Sequence, residues 1–399
     1  MNRRTFLSAA ASGGLGVTLL RGAIPDYEKP LFDLHKVSPA PVKVKSIEVL
    51  KNGKNYFVRS TSMEGAQGIA IAKDPIEILL PILQQRVIPF FTGKDARDLE
   101  TLVDGVYQAN YKLAGQALWL PVASVEQSLL DMLGRIAKKP VADLLGGQLK
   151  KQVPVYLSGS ARELTAEQEV DIYVRGVEAT GAKAVKFKIG GRMSRNADAY
   201  PGRTDTLLKL ARKRLGDKMI LYADANGSYD AAKGIEVGRM LQDLDFRFFE
   251  EPCPWEEVSE TKKVADTLDI PIAFGEQNSS LWGFEWMMQT GVMQIVQPDL
   301  NYNGGFIRAA RVARIGRKFK IPIVPHNTQT GAAGAKIIQF AASTPNAGEF
   351  MEYPWRAPAK AEGWYSPNLT IRDGKIAVPE GPGLGIEYDA KYLSAAKVI

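Results

Sequence analysis

The sequence predicts a closed α/β barrel of eight strands and seven intervening helices, preceded by a smaller α+β domain. Three observations carry this. From Val153 onward, short apolar runs alternate with helical patterns, the rhythm of a parallel sheet wrapped by helices. Asp224, Glu250 and Glu276 each close such a run, spaced 26 and 26 residues apart, about one strand, turn and helix per step. No glycine-rich fingerprint follows a first strand, so an open dinucleotide-binding sheet is unsupported. Gly190-Gly191 and Gly304-Gly305 lack a Walker lysine pattern and read as turns.

Residues 1–22 pair Arg3-Arg4 with an apolar, small-residue run from Phe6 to Leu20. The run is too short and glycine-rich to span a membrane. It resembles a twin-arginine export leader, which predicts passage through the twin-arginine export machinery and a periplasmic location. Residues 23–42, with Pro30, Pro39 and Pro41, read as a linker. The net charge is +7, with Arg3, Arg4 and Arg21 in the leader. No basic tract interleaved with aromatics appears, which argues against a nucleic-acid partner. One cysteine, Cys253, rules out an internal disulfide and thiol-ligated zinc. It reads as a packed loop thiol. With only His35 and His326, a histidine-rich metal site is excluded as well.

The first domain is expected over 43–150. An antiparallel meander begins at Lys43, with a hairpin signal at Asn52-Gly53. Helical sequence follows from about Asp98 to Lys138. Val125, Leu129, Leu130, Met132, Leu133 and Ile136 recur at helical spacing, predicting an amphipathic helix against a core. The segment 60–67, STSMEGAQ, is either a plain hairpin loop or a lid.

The barrel is expected over 151–353. Its strands are predicted at 153–158, 183–189, 219–224, 245–250, 271–275, 293–298, 320–325 and 348–352, with helices near 164–180, 203–215, 231–243, 255–268, 282–289, 304–318 and 330–342. The tail, 354–399, is expected to return to the first domain.

Side chains at the strand ends carry the chemistry. Lys186 and Lys188 share one face of a strand, while Val185, Phe187 and Ile189 occupy the other, helix-covered face. Two ammonium groups in one confined space favour a lysine that can act as a base. Asp224, Glu250 and Glu276 converge near the barrel axis and suit a hard divalent cation such as Mg2+. Glu250 is in register with Phe248 and is preferred to Glu251, which is expected to pair at the rim. Asp299 and His326 end successive strands and can form a hydrogen-bonded acid/base dyad. Glu352 ends the last strand and is placed to bond a substrate oxygen; Glu349 begins it.

Together the carboxylate triad, the lysine pair and the Asp-His dyad resemble the enolase superfamily, in particular its mandelate racemase subgroup. The runs KFKIG, YADANGSY, FFEEP, FGE, QPDLNYNGG and PHN carry the likeness, with KKPVADLLGG in the first domain. The resemblance implies a modified TIM barrel with a capping domain, and Mg2+ on Asp224, Glu250 and Glu276. It makes Lys188 the base on one face, with Lys186 lowering its pKa and touching the substrate carboxylate. His326, held by Asp299, serves the opposite face, and Glu352 bonds the carboxylate. The loop at 60–67 would be the lid, and the chain a homo-oligomer. The implied substrate is a small carboxylate, a sugar acid, whose α-proton is removed through a metal-stabilised enediolate. Loss of water would give a 2-keto-3-deoxy acid. Racemisation, epimerisation and cycloisomerisation share the same first step. A non-catalytic sugar-acid-binding protein would need a broken acid/base set, and Lys188 and His326 are both present.

Overall fold

The computed structural model describes residues 25–159, 161–355 and 362–399; the expected leader at 1–22 lies outside the described residues. The stretch read as a linker is docked. Leu31 and Phe32 donate their backbone N–H groups to Glu100, and Arg314 bonds the carbonyls of Asp26 and Lys29.

Three antiparallel strands open the fold: β1 (Val44–Asn52), β2 (Asn55–Ser62) and β3 (Gln67–Ile71). Helices α1 (Ile76–Ile82), α2 (Ile88–Phe91), α3 (Leu99–Ala109), α4 (Gln116–Ala137) and α5 (Val141–Leu144) follow. The central helix, α4, is not amphipathic toward solvent as expected: from Leu118 to Gly134 every residue is buried. It is clamped between the sheet and the barrel, so its polar residues bond inward. Glu126 accepts from the backbone N–H groups of Phe306 and Ile307, at 2.9 and 2.8 Å, and Asp131 from those of Ile69 and Leu384. Gly68 makes the sheet contact possible. A Cβ there would lie 2.2 Å from Met132 N and Ser128 O.

The barrel strands are β4 (Gln152–Ser158), β5 (Ala184–Lys188), β6 (Ile220–Asp224), β7 (Phe246–Glu250), β8 (Ile272–Phe274), β9 (Ile295–Val296) and β10 (Met351–Pro354). They pair in parallel in the order β10-β4-β5-β6-β7-β8-β9. The expected strand at 320–325 is reduced to parallel bridges of Ile323 with Val296 and Ala347. Pro322 and Pro325 lack the N–H a ladder needs. Those bridges complete the ring. Outside it lie α6 (Ala166–Thr180), α7 (Arg203–Leu215), α8 (Ala231–Asp243), α9 (Val258–Thr267), α10 (Leu281–Gln289), α11 (Phe306–Phe319) and α12 (Gly331–Ser343). Phe187 points outward onto Tyr173 of α6, ring centroids 4.9 Å apart, which leaves Lys186 and Lys188 inside.

The tail contributes β11 (Tyr365–Ser366), β12 (Lys375–Ala377), β13 (Glu387–Tyr388), α13 (Ala390–Ser394) and β14 (Lys397–Val398). β14 extends the first sheet beside β1, and β12 pairs antiparallel with barrel strand β4. Trp364, Tyr388 and Tyr392 pack edge-on around Phe57. The tail therefore ties the first sheet to the barrel.

Candidate functional site

A cavity of about 370 Å³ opens at the C-terminal ends of the barrel strands, where barrel enzymes place their chemistry. Ladder register builds one wall. Lys188, Asp224 and Glu250 are lateral partners across β5, β6 and β7, and Ala273 of β8 completes the row. Glu276 follows β8 after Gly275, whose φ of 123° favours glycine. One carboxylate oxygen from each of Asp224, Glu250 and Glu276 lies within 4.8 Å of the others, and all three residues are buried. Lys188 Nζ bonds Asp224. Lys186 sits one row down, fully buried beneath the cavity, 2.7 Å from Glu250 Oε2 and 2.8 Å from Glu352 Oε1.

The electrostatics of this wall are those of crowded carboxylates. Burial, with Asp224 beside it, pushes Glu250 well above the carboxylate range although Lys186 opposes this. Asp224 is held low: burial alone would raise it, but the Lys188 and Lys186 ammonium groups prevail. Lys186 is itself raised, because Glu250 and Glu352 outweigh its burial. Glu250 Oε1 and Glu276 Oε2 are buried with no hydrogen-bond partner. An all-oxygen donor set with orphaned buried carboxylate oxygens fits a hard divalent cation such as Mg2+.

The second wall is built by loops. His326 Nδ1 is 2.8 Å from Asp299 Oδ2, and its Nε2 is 3.4 Å from Glu276 Oε2. Asp299 is held well below the usual carboxylate range: burial opposes this, but Lys73 and His326 outweigh it. An ionised carboxylate only accepts, so Nδ1 carries the proton and Nε2 is turned away from the dyad, towards Glu276 and the cavity. Glu352 accepts from the backbone N–H of Asn327 at 3.0 Å as well as from Lys186. Glu349 is exposed.

Two expectations are corrected. Glu251 does not pair at an exposed rim. It is buried, lines the cavity and leaves Oε1 without a partner. The strand stops at Glu250, and Glu251 takes a left-handed φ of 39°, so strict alternation no longer turns it outward. Burial and the neighbouring Glu276 push its carboxyl well up. Nor is the 60–67 segment a lid. Ser60 and Ser62 are buried, with Ser60 Oγ 2.6 Å from Ser128 Oγ. Ser62 and Ala66 close a tight hairpin, and none of these residues lines the cavity. The first domain instead contributes Lys73, from the connection after β3.

Other contributors escaped the sequence. Gln297 donates to Glu250 Oε2 at 3.0 Å. It lies two residues before Asp299, so same-face spacing was a usable signal. Arg203, fully buried, donates to the carbonyl of Lys188 at 2.9 Å and pairs with Glu169. Nothing in its local sequence marks that role. His35 is far from this chemistry, bonded to Asp98 at the surface. Cys253 is a packed thiol whose burial pushes it up to about 12.

Residues 169–392 match the family described as enolase C-terminal domain-like. This chain belongs to the enolase superfamily. The superfamily's enzymes use Mg2+, and this chain is one of its enzymes. It is 27% identical over 302 residues to an arabinonate dehydratase of Saccharolobus solfataricus, covering 74% of this chain and 78% of that protein. A D-galactarolactone cycloisomerase of Agrobacterium fabrum is 28% identical over 317 residues, covering 76% of this chain and 80% of its own. Among solved structures, the mandelate racemase/muconate lactonizing protein of Paracoccus denitrificans PD1222, complexed with magnesium, aligns with a TM-score of 0.83. It is 28% identical and covers 90% of this chain and 98% of its own.

Proposed function

We propose that this enzyme is a Mg2+-dependent hydro-lyase of a sugar acid. It removes the proton α to the carboxylate and expels the β-hydroxyl as water, leaving a 2-keto-3-deoxy acid. One observation carries the reading: two basic side chains meet one carboxylate cluster in one cavity, Lys188 at Asp224 and His326 at Glu276. Asp224, Glu250 and Glu276 would hold the cation, which supplies Lewis-acid stabilisation to the substrate carboxylate as its α-proton leaves. Lys188 and His326 then address opposite faces of the α-carbon. One of them accepts the α-proton, and the imidazolium of His326 gives a proton to the departing hydroxyl. The α–β bond gains the electron pair from the broken C–H bond, and the enol tautomerises to the ketone. Lys186 and Glu352, bonded to each other, hold the floor beneath the carboxylate.

The cavity wall favours a hydroxylated substrate. Ser158, Asn226, Gln277, Asn327 and Thr328 line it, and the arabinonate dehydratase relative supports an acid sugar. The galactarolactone cycloisomerase relative supports a second reading, in which the same two bases rearrange a lactone or anhydro acid. The pair Arg3-Arg4 supports export through the twin-arginine route to the periplasm; replacing both arginines by lysine should strand the precursor in the cytoplasm.

The test is a panel of aldonic and aldaric acids, with their lactones and anhydro acids, incubated with the Mg2+-loaded enzyme in deuterated water and followed by NMR. A 2-keto-3-deoxy product is expected. Inverted, α-deuterated substrate would replace this reading with epimerisation, and ring opening of a lactone or anhydro acid without loss of water with cycloisomerisation.

A further inference from the structure

Asp299 is the most heavily bonded carboxylate at the site. Oδ1 accepts from the backbone N–H of Asn301 at 2.6 Å, from Asn301 Nδ2 at 3.0 Å and from the N–H of Tyr302 at 3.1 Å. These three donors come from the loop that follows Asp299 and fix the plane of the carboxylate. Oδ2 is left for His326 Nδ1 at 2.8 Å, and the same oxygen takes Lys73 Nζ at 2.6 Å. Lys73 is 226 residues away in sequence and belongs to the first domain. Its backbone is pinned on both sides: Ala72 N–H donates to the carbonyl of Tyr56, and Ile76 N–H to that of Lys73. Its ammonium also lies 4.0 Å from the centre of the Tyr302 ring, where the ring face attracts a cation. Lys73 is 6% exposed and still lines the cavity.

We infer that Lys73 is a positioning residue of this active site: by sharing Asp299 Oδ2, it sets the orientation of the His326 imidazole, and the strength of the hydrogen bond that holds it, from the first domain. Two charge-assisted donors on one oxygen divide its acceptor strength. The hydrogen bond that fixes the imidazole is therefore weaker than a lone Asp-His pair would make, and its direction depends on where Lys73 stands. Lys188, on the opposite wall, has no contact with Lys73 or Asp299 among its hydrogen bonds and ion pairs. The effect of Lys73 should thus fall on one face of the substrate. The prediction for catalysis rests on the proposed two-base chemistry; the spectroscopic one does not.

The experiment uses the full-length Mg2+-loaded enzyme and its Lys73→Met variant, with Lys73→Gln as a second variant that keeps a donor without the charge. With only two histidines in the chain, 15N-histidine labelling separates His326 from the surface His35. At one pH and without substrate, the His326 Nδ1–H resonance should move downfield in Lys73→Met, as Asp299 turns fully to the imidazole. An unchanged His326 resonance in a folded variant overturns the inference, whatever the substrate proves to be. The second measurement is α-proton exchange of both α-epimers of the substrate acid. Lys73→Met should change the ratio of the two exchange rates roughly 10- to 100-fold, the range for outer partners of reacting groups. Lys73→Gln should lie between Lys73→Met and the wild type. Equal loss on both faces would reduce Lys73 to a structural ion pair. Absence of exchange by the wild type would sink the proposed chemistry but leave the NMR result to decide the role of Lys73.

Discussion

The two walls of the candidate site are positioned by different physics. Lys188, Asp224 and Glu250 stand in one lateral row of a continuous parallel ladder, so backbone hydrogen bonds place them and side-chain alternation aims them. Asp299 and His326 follow strands that are short or reduced to bridges, and Glu352 stands inside the short strand β10, paired with β4. Their side chains are held by hydrogen bonds and ion pairs: Asn301 and Lys73 on Asp299, Asp299 on His326, and Asn327 and Lys186 on Glu352. A ladder tolerates the loss of one side chain without moving its neighbours. A chain of side-chain bonds does not. The ladder wall should therefore fail residue by residue, and the loop wall as a unit.

The largest effect expected is on the ladder wall's charge. Chelation should abolish turnover and Mg2+ should restore it. Glu276→Gln should lower kcat/KM by on the order of 1000-fold, as loss of a key electrostatic stabiliser does, with weakened Mg2+ binding by calorimetry. Full activity in a metal-free preparation would remove the cation from the site.

Next comes the underside of the same wall. Arg203 braces the Lys188 carbonyl and is paired with the buried Glu169, whose burial, partly offset by Arg203, raises it to about 7. Arg203→Met strands that carboxylate and should cost about 3–5 kcal/mol in urea unfolding at neutral pH or above. The double variant Arg203→Met/Glu169→Leu should recover much of the loss. If the single variant is as stable as wild type, the ladder row does not depend on this brace.

Behind the loop wall, α12 carries a buried lysine that has no carboxylate partner among the described residues. Lys336 donates to Asn301 Oδ1 at 2.8 Å, and burial pushes it down to about 7. Its folded value lies below its unfolded value, so the unfolded chain binds the extra proton between about pH 7 and 10.5. Stability from this group should rise with pH across that window, with a slope of at most about 1.4 kcal/mol per pH unit, and be lost as pH falls through 7. Lys336→Met should flatten the slope in pH-dependent unfolding. A slope unchanged by the substitution would assign it to other groups.

The contrast also explains what could be read from the sequence. The ladder wall was legible because period-two alternation and the repeat of strand, turn and helix place Asp224, Glu250 and Glu276 without knowledge of distant contacts. The seven barrel helices were legible for the same reason. Asp299, His326 and Glu352 were found because each ends an apolar run. What holds them was not legible: Lys73 reaches Asp299 across 226 residues, and Asn301 acts through a loop turn. The inward turn of Glu251 depends on one left-handed residue after the strand, which alternation does not encode. The buried polar side of α4 was hidden likewise, since Glu126 and Asp131 find their partners on α11 and in the tail.

The smallest expected effect tests where the first domain touches the chemistry. Of that domain, Lys73 lines the cavity while the hairpin at 63–66 does not. Met63 is 54% exposed, and its backbone N–H donates to the carbonyl of Lys43. Exposed substitutions of this kind usually stay within about 0.5 kcal/mol, which corresponds to roughly a twofold change in rate. The double variant Met63→Ser/Glu64→Ala should therefore leave kcat/KM within about twofold of wild type, with no separate shift in KM. A covering loop would behave differently, because weakening it admits water and loosens substrate together, raising KM while lowering kcat. A KM raised fivefold or more in this variant would return the hairpin to the active site and leave Lys73 as only one of two contributions from the first domain.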